Sequence, residues 1–190
     1  MLVRPHISIM GARPMPTTRP DLSLLDDVVG TPVLQAMTAA ARFLEEHGIR
    51  HLLVGGLAVG AHGYPRATKV VDFLVAEDAF EHHEGGIITM RPGLPIQVGG
   101  VAVDHISVES AEPFLQELLD GAPASGLQVI RIEALVYMKL KAGRMKDLAD
   151  VAELIKVDID VAKCRAWLTK NAPRLLPKLD AVEQQARAES

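Results

Sequence analysis

The feature that most constrains the fold is a short apolar run that ends in two glycines. Residues 50–54 form this run, and Gly55-Gly56 follows it directly. A run of this length between turn-forming residues is typical of a buried strand, and the glycine pair turns the chain into a short helix predicted over 57–62. A second strand is predicted over 69–75. Two strands separated by a short helix indicate a fold that contains both α-helices and a β-sheet.

Turn residues and helical spacing define the remaining predicted elements. Thr31 followed by Pro32 is a typical helix start, and this helix is expected to end at Gly48. Between residues 85 and 107, glycine and proline turns separate short β-branched runs and predict a strand meander. The other predicted elements are a last meander strand over 101–106, a helix over 111–119, a small strand over 127–130, and helices from 132 onward with breaks near Gly143, 158–160 and Pro173.

The predicted elements assemble into an α+β fold, in which a mixed β-sheet is flanked by helices and followed by a C-terminal helical part. A length of 190 residues suits one compact core. Four prolines among residues 1–20 exclude both a helix and a central strand there, so this segment is expected to be a mobile arm. Residues 21–130 are expected to form the α/β core, and residues 131–190 the helical part packed on it.

Composition excludes several classes of protein. The formal net charge of −4 argues against a protein that coats nucleic acid by bulk electrostatics, although a local basic patch is compatible with it. The single cysteine, Cys164, cannot form an intramolecular disulfide, and no Cys/His spacing predicts a zinc site. No apolar run approaches the roughly 20 residues that span a bilayer. We therefore expect a soluble, cytoplasmic protein without a membrane partner.

Three features occur in an order that suggests a site for phosphate and metal. Gly55-Gly56 follows one strand, Asp72 lies on the next, and Asp104 lies on a later one. Glycines at a strand-to-helix turn allow the backbone to approach a phosphate closely, and the helix N–H groups point at it. Taken singly, the glycine pair is better explained by a tight packed turn, and each aspartate by a solvent-facing strand residue. Their joint placement favours the site.

Two separated motifs carry a resemblance to a known family. The first runs from Val54 through the glycine pair to Gly63, Arg66, Thr68 and Asp72, and the second spans residues 139–150. Together they resemble the signature of the nucleotidyltransferase superfamily, in particular its minimal and AbiEii-like, toxin-related branches. The resemblance extends over residues 33–156. Two motifs in the right order are more specific than either motif alone.

The resemblance implies a carboxylate site for Mg²⁺ or Mn²⁺ on the second strand. In the superfamily this strand carries Asp-x-Asp, and both aspartates bind the metal that holds a nucleoside triphosphate such as ATP. Asp72 matches the second aspartate, Val70 stands where the first belongs, and Asp104 matches a third carboxylate that binds metal or acts as a base. Because residues two apart share a face of a strand, Val70 removes a ligand oxygen. Asp72 and Asp104 are therefore expected to hold one ion loosely rather than two.

The same resemblance assigns nucleotide-binding roles to residues around the predicted strands. Gly55 and Gly56 match the phosphate-binding turn, although the serine common at the second position is absent. Arg66 and Thr68 precede the second strand, where they either contact the nucleotide or fix the loop.

Lys139 lies in the second motif, within a stretch predicted to be helical, and continuous helical spacing over 132–156 places Met145 on the buried side. It is expected to reach a phosphate and to neutralise developing charge, so that alanine in its place should weaken nucleotide binding with little change in Tm. Arg144 and Lys146 would extend this basic patch towards an acceptor. The alternative is a solvated helix face, on which Lys146 pairs with Asp150 and Arg144 pairs with Asp147.

The resemblance implies an enzyme that transfers a nucleotidyl group to a hydroxyl of an RNA, such as a tRNA, or of a protein. Val70 favours a hypothesis from another class, a non-catalytic module that binds nucleotide or a partner within a toxin–antitoxin pair. The partner would then be a cognate antitoxin or toxin. Nucleotide titration combined with an assay for pyrophosphate release separates the two hypotheses. A purely structural domain would bind no nucleotide at all.

Overall fold

The computed structural model of the chain describes residues 19–123 and 125–189, and its architecture is α+β. A mixed β-sheet is flanked by helices, and a helical part follows it, as the sequence predicts. The arm expected over 1–20 lies outside the described residues except for its last two. Within the described ranges, no helix has the length and apolarity that crossing a membrane requires.

The helices and strands of the described residues have the following bounds. The helices are α1 (Thr31–Glu46), α2 (Gly55–Ala61), α3 (Pro113–Asp120), α4 (Ile132–Ala142), α5 (Met145–Lys156), α6 (Val161–Asn171) and α7 (Leu176–Ala188). The strands are β1 (His51–Leu53), β2 (Val70–Val75), β3 (Phe80–His82), β4 (Ile88–Met90), β5 (Gln97–Val98) and β6 (Val101–Ser107). Short 3-10 turns occur at Leu22–Leu25, Glu77–Ala79 and Pro173–Leu175.

The strands form a four-stranded sheet in the order β1-β2-β6-β5 and a separate two-stranded sheet, β3-β4. β2 runs parallel to β6, while β1 and β5 pair antiparallel with their neighbours, which makes the larger sheet mixed. The predicted meander is thus divided between two sheets. The strand predicted over 127–130 is wrong, since only a single bridge joins Val129 to Leu53. α4 begins at Ile132, so the segment leaves the edge of β1 soon after this bridge.

α2 begins two residues earlier than predicted. The Gly55-Gly56 pair forms the first turn of the helix itself rather than a turn that precedes it. Gly55 has a φ of 64°, a left-handed conformation that a residue without a Cβ adopts readily. The chain can therefore leave β1 and enter α2 with Val54 as the only intervening residue.

Successive side chains of β2 lie on opposite faces of the sheet, and this alternation decides where the cleft lies. Val71 and Phe73 are buried against α1 on one face of the sheet. Val70, Asp72 and Leu74 line the opposite side, together with residues of α4 and α5. Because residues two apart on a strand share a face, the cleft opens between the sheet and the C-terminal helices.

Candidate active site

A cleft of about 760 Å³ lies between the sheet, the start of α2 and the helices α4 and α5. It is lined by Asp72 and Asp104 from the strands, by Gly55 and Gly56 from α2, and by Lys139 from α4. Thr68 also lines it. With the exception of Arg66, the site residues predicted from the sequence are therefore brought together in this cleft.

Asp72 and Asp104 lie directly opposite each other on the parallel strands β2 and β6. Both line the cleft, which confirms the prediction that the two carboxylates converge beside the glycine pair. Asp72 is half-buried and Asp104 is exposed. Burial raises the pKa of Asp72, and the nearby charge of Asp104 raises it further. Lys139, the N–H of Gly56 and Lys146 act in the opposite direction.

The glycine pair accommodates the carboxylate of Asp72. A Cβ at Gly55 would overlap Oδ2 of Asp72, so a larger residue does not fit while that carboxylate keeps its position. The N–H of Gly56 also favours the charged form of this carboxylate and so lowers its pKa. The helix N-terminus that the sequence assigns to a phosphate is thus already in contact with an anionic group. A phosphate bound beside it needs a cation between the two.

Gly55→Ala is expected to reduce both stability and divalent-cation binding. Alanine at a φ of 64° costs about 1–2 kcal/mol. Its Cβ also displaces the Asp72 carboxylate from the Gly56 amide, which costs about 1 kcal/mol more. Gly48→Ala is the matched control, since Gly48 has a φ of 66° and no atom of the described residues lies within 4 Å of an added Cβ. Thermal unfolding and Mn²⁺ titration measure the difference, and equal losses in both variants would contradict this role of Gly55.

The structure places Arg66 and Thr68 in different environments. Thr68 lines the cleft, and its hydroxyl donates to the carbonyl oxygen of Val70 at 3.3 Å. The guanidinium of Arg66 instead binds Asp150, with Nε and Nη2 donating to its two carboxylate oxygens at 2.7 and 2.8 Å. Of the two roles that the sequence leaves open for Arg66, this geometry matches the one that fixes the loop.

Lys139 lines the cleft, but its ammonium group is held by two buried carboxylates. Nζ lies 2.9 Å from Asp147 and 2.7 Å from Asp150, and the side chain of Lys139 is 8% exposed. Burial alone would raise the pKa of both aspartates, but hydrogen bonds from their cationic partners outweigh burial and lower it. Direct contact with a phosphate would require the ammonium group to leave one of these carboxylates. The phosphate-binding role of Lys139 stays a prediction.

The buried and exposed faces of α5 differ from the prediction because α4 ends at Gly143. Gly143 adopts a left-handed φ of 65°, and a new helix starts at Met145. Helical spacing continued across this break predicts Met145 on the buried side, which is wrong, since Met145 is 85% exposed. The predicted pair of Arg144 with Asp147 is confirmed, with 2.6 Å between Nε and Oδ2.

Among the described lysines that line the cleft, Lys69 and Lys146 are the two that form no ion pair. Both line the cleft, and in the part of the chain that the structure describes neither has a carboxylate within ion-pair distance. The predicted pair of Lys146 with Asp150 is wrong, because Asp150 already binds two other cations. Lys146 acts on the charge of Asp72 instead. Sequence reasoning missed Lys69, whose one signal is its position directly before β2.

The carboxylates present suit one divalent cation and not two. Mg²⁺ is commonly held by one or two carboxylates together with phosphate and water oxygens, and Asp72 with Asp104 supplies that set. Among residues 19–123 and 125–189, no group of three or more His, Cys, Asp or Glu side chains is placed to hold a metal. Val70 lines the cleft without contributing an oxygen. A second ion needs a bridging carboxylate to offset the repulsion between the ions, and position 70 does not provide it.

Comparisons with known proteins show a distant structural likeness. No family model matches the chain, and no curated protein matches it. Among solved structures, the chain is similar to an antigenic nucleotidyltransferase-like protein from Paracoccidioides brasiliensis, with 18% sequence identity and a TM-score of 0.44. The similarity covers 81% of this chain and 94% of that chain. At this level of likeness, a function has to be inferred from the residues of the cleft.

Proposed function

We propose that the chain binds a nucleoside triphosphate with one Mg²⁺ or Mn²⁺ ion in this cleft and transfers its nucleotidyl group to a hydroxyl of an RNA or protein acceptor. The observation that carries the proposal is the pair of carboxylates, Asp72 and Asp104, which lie opposite each other beside the N-terminus of α2. This arrangement combines oxygen ligands for a hard cation with N–H groups suited to a phosphate.

The charges that line the cleft suit a polyanion that carries a cation. Asp72 and Asp104 would repel a free triphosphate, whereas a triphosphate complexed with a divalent cation is attracted to them. Lys69 and Lys146 supply positive charge for the remaining phosphate oxygens. Met138 adds apolar surface to the same cleft, which suits the base and the ribose.

The proposed reaction is an in-line displacement at the α-phosphorus. The acceptor hydroxyl oxygen forms a bond to this phosphorus while the bond to the bridging oxygen of the leaving pyrophosphate breaks. Asp104, which is exposed in the cleft, receives the hydroxyl proton. A divalent ion held by Asp72 and Asp104 would neutralise charge on the phosphates. Lys146 stabilises the charge that develops on the departing pyrophosphate.

Val70 favours a second function that involves no chemistry. With no carboxylate at this position, the cleft lacks the ligands for two ions that clamp the attacking and leaving oxygens. A protein with such a cleft can hold a nucleotide and act as a binding module, with a toxin or antitoxin as its partner. Nucleotide binding without pyrophosphate release is the result expected for this second function.

Nucleotide titrations with and without Mg²⁺ test the proposal. The wild-type protein is expected to bind a nucleoside triphosphate only with the divalent cation, and to release pyrophosphate when tRNA, total RNA or protein is added. Asp72→Asn should weaken binding by roughly tenfold or more, because a cation ligand is lost. Asp180→Asn is the matched control, since Asp180 is an exposed residue of α7 that pairs with Arg165. Binding that needs no divalent cation, or that is equal in the two variants, would exclude the proposed site.

A further inference from the structure

A buried network of ion pairs connects the loop before β2 to the helices α4 and α5. Arg66 binds Asp150 through two hydrogen bonds of 2.7 and 2.8 Å. The ammonium group of Lys139 lies 2.7 Å from Asp150 and 2.9 Å from Asp147. Arg144 completes the network at 2.6 Å from Asp147. The side chains of the two aspartates are 1% and 3% exposed, so their charges depend on these partners rather than on water.

Arg66 also packs against the first turn of α2. A Cβ at Gly56 would lie 3.4 Å from Nη2 of Arg66 and 3.2 Å from the Thr68 hydroxyl, so the loop over 66–68 contacts this turn closely. The same turn lies against the Asp72 carboxylate at Gly55, and the N–H of Gly56 favours the charged form of that carboxylate. Arg66 and Asp150 are both described, and neither lines the cleft. Contacts therefore run from Asp150 through Arg66 to the turn of α2 that lies against Asp72.

We propose that Arg66 and Asp150 are positioning residues for the nucleotide site. Asp150 orients the planar guanidinium group by accepting hydrogen bonds from two of its N–H groups, and the guanidinium holds the first turn of α2 so that the Gly56 amide faces Asp72. This role rests on the proposed function, and it assigns Arg66 to the loop rather than to the nucleotide. Arginine is needed because its rigid fork donates two parallel hydrogen bonds, whereas a lysine ammonium group acts as a point charge.

Arg66→Lys separates a positioning residue from a residue that touches phosphate. Lysine keeps the positive charge, so a direct phosphate contact would retain most of the affinity, whereas the positioning role would be lost. We expect Arg66→Lys and Asp150→Asn each to raise the Kd for the Mg²⁺ complex of the bound nucleoside triphosphate by about tenfold. The double variant should be little weaker than either single variant, because both changes disrupt the same pair.

Arg165→Lys is the matched control for this substitution. Arg165 makes ion pairs with Asp180 and Glu183 on α7 that are more exposed than the pair of Arg66 with Asp150, so the same chemical change there should leave the Kd unaltered. Full nucleotide affinity in Arg66→Lys would overturn the positioning role, and so would an unchanged Kd in Asp150→Asn.

Hydrogen exchange tests the positioning role without any nucleotide. In Arg66→Lys and Asp150→Asn, the Gly56 amide should exchange at least about tenfold faster relative to the amides of α7. Local opening accelerates exchange at one place, whereas a global loss of stability accelerates it throughout the chain. A wild-type protein that binds no nucleotide would refute the proposed function, and the exchange rate of Gly56 would still decide the role of Arg66. Unchanged relative exchange at Gly56 in both variants would overturn that role.

Discussion

Lys139→Ala is expected to lower the free energy of unfolding by about 3–5 kcal/mol, the usual cost of removing one partner from a buried ion pair. Asp147 and Asp150 would stay buried without the ammonium group that lies between them. Arg144 and Arg66 keep each of these carboxylates paired, so the variant should still fold, with a fall in Tm on the order of 10 °C. The sequence alone predicts little change in Tm, since it assigns Lys139 to a phosphate and not to a buried ion pair.

Lys156→Ala is the matched control for Lys139→Ala. Lys156 lies on α5 and also has two carboxylate partners, Glu153 and Glu189, but these pairs are more exposed. Exposed ion pairs contribute about 0–1 kcal/mol, so this variant should melt close to the wild-type protein. Thermal unfolding followed by circular dichroism compares the two. If both variants melt at the same temperature, the buried network does not stabilise the fold.

Val70→Asp is expected to raise the affinity for Mn²⁺ by at least about tenfold and to create or increase Mg²⁺-dependent pyrophosphate release. Val70 is half-buried and lines the cleft, so the new carboxylate would share that face with Asp72 and lie near Asp104. Three converging carboxylates repel one another when no metal is present. The variant should therefore melt lower than the wild-type protein without metal and recover when Mg²⁺ and nucleotide are added.

Val70→Asn is the matched control, because asparagine has the shape of aspartate without its charge. Isothermal titration with Mn²⁺ and a pyrophosphate assay compare the two variants directly. Equal Mn²⁺ affinities, together with a lower Tm of Val70→Asp that metal does not restore, would make position 70 part of the apolar wall. The carboxylate site would then not be recoverable by one substitution.

The helix α1 and the strand β2 are predictable because their signals are local. The helix start at Thr31 and the strand β2 follow from turn residues and apolar runs, and both lie within a residue of their predicted positions. The convergence of Asp72 with Asp104 is also predictable, since strands that carry a shared site are expected to be neighbours in one sheet. The strand predicted over 127–130 fails because pairing depends on how a segment meets a distant strand, and among the described residues a single bridge joins this segment to β1.

The sequence by itself determined the order of the elements, the pair of carboxylates and the lack of a third at position 70, because strand period and glycine turns are properties of neighbouring residues. Only the tertiary structure decided which charged side chains form ion pairs. Arg66 and Asp150 are 84 positions apart, and they meet because α5 packs against the loop before β2. The left-handed Gly143 changes the phase of α5, which exposes Met145. Ion pairs between distant elements depend on packing, and no local pattern encodes them.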